Sequence, residues 1–303
     1  MESIFTFSII QSALELGCIY SLVTLALFLS FSILNIADLS TDGCFTLGCA
    51  VAAMAAGVCS GFVTAFLQTK MGVPSILAGI IVNTGLYTVN IAVMDFSSNV
   101  NLFGCDTVFS LAKGVSEADW YGDWYKIAIV AAVVLIVGAI IAWFLNTRLG
   151  LSIRATGDNE YMVRASSINP VFTITVGLCV SNSLTALSGA VLAQYQKSCD
   201  INLGTGMVTI ALASVIIGET IIGKGGMFKR IIGVILGSCL YRFIVAVALR
   251  LNVPAECLKL VSALIVAFAI AFPYLKGQAA LYKSHRMPFA VRGDGGKDGD
   301  GVC

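Results

Sequence analysis

Residues able to do chemistry are few in this chain, and most of them sit inside or beside long apolar stretches. Asp38 and Asp42 fall in NIADLSTDG, the break that follows the first apolar run. Carboxylates there could meet the ammonium group of an arriving solute. Equally, Ser40, Thr41 or Asp42 could cap the helix that follows by accepting its free backbone N–H groups. Asn83 and Asn90 are seven residues apart, so a helix carrying them presents both on one face, with Thr84 nearby. Ser181, Asn182, Ser183, Thr185 and Ser188 stud another apolar run. In lipid such side chains must turn inward, either to bond partner helices or to line a wet path. Glu219 and Arg242 are ionisable groups within apolar runs, where charge demands a partner or a hydrated cavity. A mutual pair is one solution. However, Glu219 falls near the end of its run and Arg242 deeper in its own, which argues against direct contact and leaves either free to line a pathway.

Catalytic and metal-binding patterns are missing around these residues. The one histidine, His285, is near the C-terminus, and there is neither HExxH nor GxSxG. GETIIGKG (residues 218–225) imitates a phosphate-binding GxxxxGK[ST] loop, but Gly225 stands where the Mg²⁺-binding hydroxyl is required and no strand–loop–helix unit surrounds it. Ten cysteines form no CxxC or Cys/His cluster, so no metal site is expected. Cys18, Cys44, Cys49, Cys59, Cys179 and Cys239 fit small packing positions in or beside apolar helices, while Cys105 and Cys199 fall in segments expected outside the cell, where a disulfide could form.

The elements that must position these groups are membrane spans. The 303 residues are 58% hydrophobic and only 12% charged, against about a quarter charged in soluble domains. The chain is therefore expected to be an all-α, polytopic transmembrane bundle. Its formal net charge of +1 gives no basic surface for nucleic acid. Apolar runs at residues 16–34, 43–67, 73–94, 126–145, 171–195, 207–222, 228–249 and 258–275 give about eight spans, each near the length a bilayer requires. Short re-entrant segments are candidates around Asp38 and around residues 200–206. Residues 1–275 then form one transmembrane domain, and 276–303, Gly-rich and charged towards its end, a disordered cytoplasmic tail. Residues 1–12 lack the basic stretch and cleavage site of a signal peptide, so the first span is expected to be retained. GIIVNTGLY (79–87) and GVILGSCLY (233–241) rhyme, each in the third span of a four-span unit, which suggests a parallel internal repeat.

Between the fourth and fifth spans lies the polar interruption RLGLSIRATGDNEYMVRASSINP (148–170). Its excess of arginine favours the cytoplasmic side, and alternation then puts Lys70, Lys224, Lys229, Arg230 and the basic residues of the tail on that side too, with both termini cytoplasmic. Gly157 would supply a flexible turn, Asp158 or Asn159 a cap, and Glu160 the first turn of a short surface helix over 160–168.

RATGDNEYMVRASSINP resembles the cytoplasmic coupling segment of permease subunits in ATP-binding-cassette importers of the branched-chain amino acid and ribose family. The likeness extends through SILNIADLSTDGCFTLGCAVAA, TKMGVPSILAGIIVNTGLYTVN, LSGAVLAQYQKSCDINLGTGMVTIALASVIIGETIIG and LGSCLYRFIVAVALRL, in order, over most of residues 14–275. Taken together these blocks resemble the subgroup paired with tryptophan- or tyrosine-type substrate-binding lipoproteins. Wider branched-chain relatives commonly carry a histidine after the first span, where this chain has Asp38 and Asp42; that departure argues against a branched aliphatic substrate.

The resemblance implies a non-enzymatic permease in the plasma membrane, moving a small solute of the amino acid class, aromatic ones included, by alternating access. It implies a dimer with itself or a close paralogue, a cytoplasmic ATPase dimer and an extracellular lipoprotein that delivers the solute. ATP and Mg²⁺ would belong to the ATPase, with no cofactor on this chain. Arg154, Gly157, Asp158, Asn159, Glu160 and Arg164 would couple to that ATPase; Asp38, Asp42, Asn83, Asn90, Asn182, Glu219 and Arg242 are the candidates for the solute path. The competing class is a self-sufficient secondary transporter or channel, for which only Glu219 and Arg242 offer ion-coupling groups inside the bilayer; a receptor or scaffold is a third.

Overall fold

A computed structural model describes residues 7–104, 106–115, 124–223, 225–250 and the isolated positions 260, 263, 264, 267 and 271. Helix α1 (Phe7–Leu27) continues as a π-helical segment, Phe28–Ile33. Next come α2 (Thr41–Val51), α3 (Met54–Thr69), α4 (Ser75–Val93), strand β1 (Asn99–Asn101), α5 (Val108–Val115) and α6 (Trp124–Asn146). The short pair α7 (Arg148–Asp158) and α8 (Glu160–Ala165) follows, then α9 (Pro170–Gln196), β2 (Ser198–Asp200), α10 (Met207–Ile222) and α11 (Met227–Arg250). The strands form one small antiparallel ribbon, Val100 opposite Cys199.

Five helices among the described residues are long and apolar enough to cross a membrane: Ile10–Ile33, Ser75–Val93, Trp124–Asn146, Pro170–Gln196 and Met227–Leu249. The expected second span is instead two helices. Ala52 adopts left-handed backbone (φ 51°) and ends α2 after 11 residues, about 16 Å of helix and too short to cross. The expected sixth span, α10, has the predicted bounds but only 16 residues, and it begins inside the body. The expected eighth span and the tail lie outside the described residues, as does Cys105; Cys199 is buried beside Cys49.

Helix α9 is the central post. It buries about two thirds of its apolar window, against about a quarter for α4 and α6. Its small residues allow backbone contact: a Cβ on Gly57 or Gly61 of α3 would lie within 2.5 Å of the α9 carbonyls of Asn182 and Leu178, a close packing of the small-xxx-small kind. Two apolar clusters complete the core. One gathers Ile19, Tyr20, Phe45 and Leu192, and the other Phe28, Leu29, Leu145, Ile153 and Leu178.

The direction of α1 corrects the expected topology. It runs antiparallel to α9: Ser188 donates to the Ile19 carbonyl (2.9 Å) and Ser181 to that of Ala26 (2.8 Å). Its C-terminal end therefore lies on the face of α7, where a Cβ on Gly157 would fall 2.0 Å from the Ile33 carbonyl. Its N-terminal part lies at the other face, where the Tyr195 hydroxyl donates to Glu15 (2.6 Å). The described start of the chain and α7–α8 are thus on opposite faces rather than the same one. The cause is local. After Ile33 the chain makes no turn at the far face but re-enters the body through residues 34–40, so the first two expected spans contain one crossing and two short helices, α2 and α3. The expected four-span parallel repeat fails for the same reason, since its first members, α1 and α9, run in opposite directions.

Candidate functional site

Asp42, Asn83 and Asn90, far apart in sequence, meet at a cleft of about 300 Å³, lined also by Gly43, Thr46, Thr84, Tyr87, Ile201 and Thr205. Three elements build it. Helix α4 brings Asn83, Tyr87 and Asn90 from one face, at i, i+4 and i+7. Helix α2 brings Asp42 and Thr46. Residues 201–206 form a short turn between the β-ribbon and α10, with Gly204 packed on the Asp42 carbonyl. The Asn90 amide donates to the Gly43 carbonyl (3.1 Å), fixing α4 against α2. Asn90 is 1% exposed, and its Oδ1 has no hydrogen-bond partner among the described residues.

The Asp42 carboxylate accepts from the backbone N–H groups of Gly206 (3.0 Å) and Val208 (2.9 Å). It therefore caps the N-terminus of α10 from another helix, with its negative charge at the positive end of that helix dipole. Capping was the expected alternative to solute contact, but for the helix containing Asp42; the structure assigns the cap to α10. Ser40 precedes α2 without a side-chain capping bond.

Asp38 is not at an outer rim, as the alternation of spans implied, but inside the protein. It is 1% exposed. Its Oδ1 accepts from the Ser40 N–H (2.8 Å) and hydroxyl (2.6 Å), and its Oδ2 from the amide of Asn182 (3.0 Å), midway along α9. A carboxylate can be held at this depth only because each oxygen is supplied with donors. Asp38 and Asn182 thus form a structural junction that ties the re-entrant linker to the central post, separate from the residues that line the cleft.

Glu219 and Arg242 do not pair. Glu219 accepts from Arg230 (2.5 Å) and from Ser32 (2.6 Å) in the π-helical segment, near the face that carries α7. Arg242 lies over the Tyr20 ring, 3.4 Å from its centroid, and its Nε is buried without a partner among the described residues. Sequence marks Arg230 only as a positive charge; its signal as the partner of Glu219 is their eleven-residue separation across the α10–α11 turn. Tyr87, absent from the sequence-based candidates, shares the face of the two asparagines through its i+4 spacing from Asn83.

Of the predicted coupling residues, Asp158, Asn159, Glu160 and Arg164 are exposed, whereas Arg154 and Gly157 are partly covered. Gly157 is not in a flexible turn; it lies within α7, where its missing side chain lets that helix press on the end of the π-helical segment. The turn is Asn159 alone, whose Oδ1 accepts from the N–H groups of Tyr161 (3.0 Å) and Met162 (3.2 Å). Asp158 is exposed, Arg154 is half-buried, and Glu160 and Arg164 form an exposed ion pair at 2.8 Å. Helix α8 stops at Ala165, short of the expected residue 168, because Ser167 takes left-handed backbone (φ 60°). Tyr161 and Met162 stand 84% and 66% exposed on this polar element.

These features define a multi-pass helical membrane protein with a polar cleft beside a half-helix and an exposed pair of short helices at one face. Among the described residues no group of His, Cys, Asp and Glu could hold a metal ion. The chain belongs to the family described as the branched-chain amino acid transport system permease component, matched over residues 9–270. That is a family of transport permeases, not of enzymes. The chain is 30% identical to a tyrosine transport system permease protein of Clostridioides difficile (strain R20291) over 278 residues, 86% of this chain and 90% of that protein. It is 29% identical to a ribose import permease protein of Escherichia coli (strain K12) over 234 residues, 72% of this chain and 66% of that one. No solved structure matches it.

Proposed function

We propose that this permease is the membrane subunit of an ATP-binding-cassette importer for a small solute of the amino acid class, with an aromatic amino acid the favoured substrate. The observation that carries the coupling half of this reading is the contact of Gly157 with Ile33. A surface helix that pushes directly on the backbone of a π-helical segment can shift that segment, and residues 34–40 lead from it to the half-helix that lines the cleft. The similarity to a tyrosine permease supports the substrate class. An external lipoprotein would deliver the solute, a cytoplasmic ATPase dimer would grip α7–α8, and a second permease chain, identical or paralogous, would complete the path. ATP and Mg²⁺ would be bound by the ATPase.

The sidedness follows from charge. Arg148, Arg154 and Arg164 on α7–α8 share a face with Lys70 after α3 and with Lys229 and Arg230 at the start of α11, and basic residues concentrate on the cytoplasmic side. On this reading the start of α1 is external. Energetic coupling is tested by reconstituting the permease with its ATPase and lipoprotein and measuring ATP-dependent uptake. The double variant Gly157→Pro, Asp158→Arg should insert normally but hydrolyse ATP without uptake. Full uptake by that variant, or gradient-driven uptake by the permease alone, would instead favour the secondary-transporter class.

A further inference from the structure

We infer that Asp42 and Asn90 form an ammonium-reading subsite in the cleft, so that the permease itself selects for solutes bearing a primary amine. The inference rests on the transport reading and adds a chemical filter to it. Its strongest support is the unsatisfied Oδ1 of Asn90. The amide orientation is fixed by the neighbouring backbone: Nδ2 donates to the Gly43 carbonyl, and a flipped amide would set two acceptors against each other. Oδ1 is therefore an acceptor, buried just beneath the cleft wall to which Asn90 belongs and without a donor among the described residues. A group in that condition gains from any ligand that brings an N–H.

The charge of the cleft points the same way. Its lining contains one carboxylate, several hydroxyls and amides, and no lysine or arginine. No cationic side chain among the described residues forms a salt bridge with Asp42. Its oxygens accept the backbone N–H groups of Gly206 and Val208, with that of Met207 also directed at them, which leaves acceptor capacity and negative charge facing a polar space. A primary ammonium has three donors, enough for Asp42, Asn90 and one of the hydroxyls of Thr46 and Thr205. Asn83 and Thr84, one to two turns earlier on α4, can serve a carboxylate at the other end of a zwitterion. Tyr87 is 51% exposed at the rim and offers an aromatic face to the rest of the solute. Neither a sugar nor a desamino acid brings the cation that this lining requires.

The test is direct binding to the full importer complex in nanodiscs, with the lipoprotein omitted, by isothermal titration. L-Tyrosine and tyramine should bind about tenfold or more tightly than 3-(4-hydroxyphenyl)propionate, and Asn90→Leu should bring the ratio of tyramine to the desamino acid close to one. Asp42→Asn keeps a capping oxygen but removes the charge, and it should weaken tyramine while leaving the desamino acid unchanged or tighter. If these variants fail to fold, the wild-type ratio alone decides, and a ratio near one overturns the inference. Sodium chloride competing with an ionic-strength control, without any amine preference, would identify a metal-cation site and also overturn it. ATP-dependent uptake is measured separately. Uptake without amine preference sinks only the subsite, whereas amine preference in a complex that never transports sinks the importer reading.

Discussion

Asp38 and Asp42 lie four residues apart on a short linker and the start of a half-helix, and the fold gives them opposite surroundings. Asp38 is enclosed, its oxygens taken by Ser40 and by Asn182 of the central post. Asp42 opens onto the polar cleft and holds α10 by two backbone N–H groups while keeping acceptor capacity free. The first arrangement is a junction and the second a surface. A buried carboxylate with every donor in place is informative about stability, whereas one that leaves charge facing a polar cleft is informative about a ligand.

Substitutions can separate the two. The largest loss of stability should come from Asp38→Ala, which strands the Ser40 N–H and the Asn182 amide in the interior; about 3–4 kcal/mol is expected in equilibrium unfolding of the purified permease. A loss under about 1 kcal/mol would mean that the junction is wetter than the geometry shows. Next comes Gly157→Ala. Its new Cβ would fall 2.0 Å from the Ile33 carbonyl, so α7 must move off the π-helical segment that leads to Asp38. ATP-dependent uptake should drop by about tenfold or more, with the variant still inserted and still co-purifying with its ATPase. Wild-type uptake would remove this contact from the coupling route.

Asp42→Ala should be milder for stability than Asp38→Ala, about 1–2 kcal/mol for a lost cap, yet it should abolish amine preference. If it destabilises the protein as much as Asp38→Ala, Asp42 belongs with the junction and the distinction fails. The smallest effect is expected from Tyr87→Phe at the rim. Stability should stay within about 0.5 kcal/mol, and any change should appear as a few-fold shift in solute affinity.

Much of the fold was legible because lipid imposes a simple rule on sequence: long apolar runs become helices. The bounds of α4, α6, α9, α10 and α11 follow those runs within two residues. The break of the second run at Ala52 was not legible. CAVAAMAAG carries no proline or polar residue, and nothing in it signals a left-handed alanine. The inverted direction of α1 was hidden for a related reason. Counting spans assumes that each polar break is a turn at a membrane face, and residues 34–40 violate that assumption by satisfying their polar groups inside the protein.

The candidate site divides in the same way. The Asn83 and Asn90 face on α4 was set by helical spacing, and the Asn159 cap by local backbone chemistry. That Asp42 caps α10 rather than α2, and that Glu219 takes Arg230 rather than Arg242, depended on which helices are neighbours.

By itself the sequence determined that this chain is a bundle of membrane helices, where its polar interruption falls and which helix faces are polar, because those properties depend on composition and on periodicity within single segments. Only the tertiary structure decided which buried carboxylate is satisfied and which is left facing a cavity. That outcome depends on donors brought from residues more than a hundred positions away, and a hydrogen bond is short and directional while sequence order says little about distance in space.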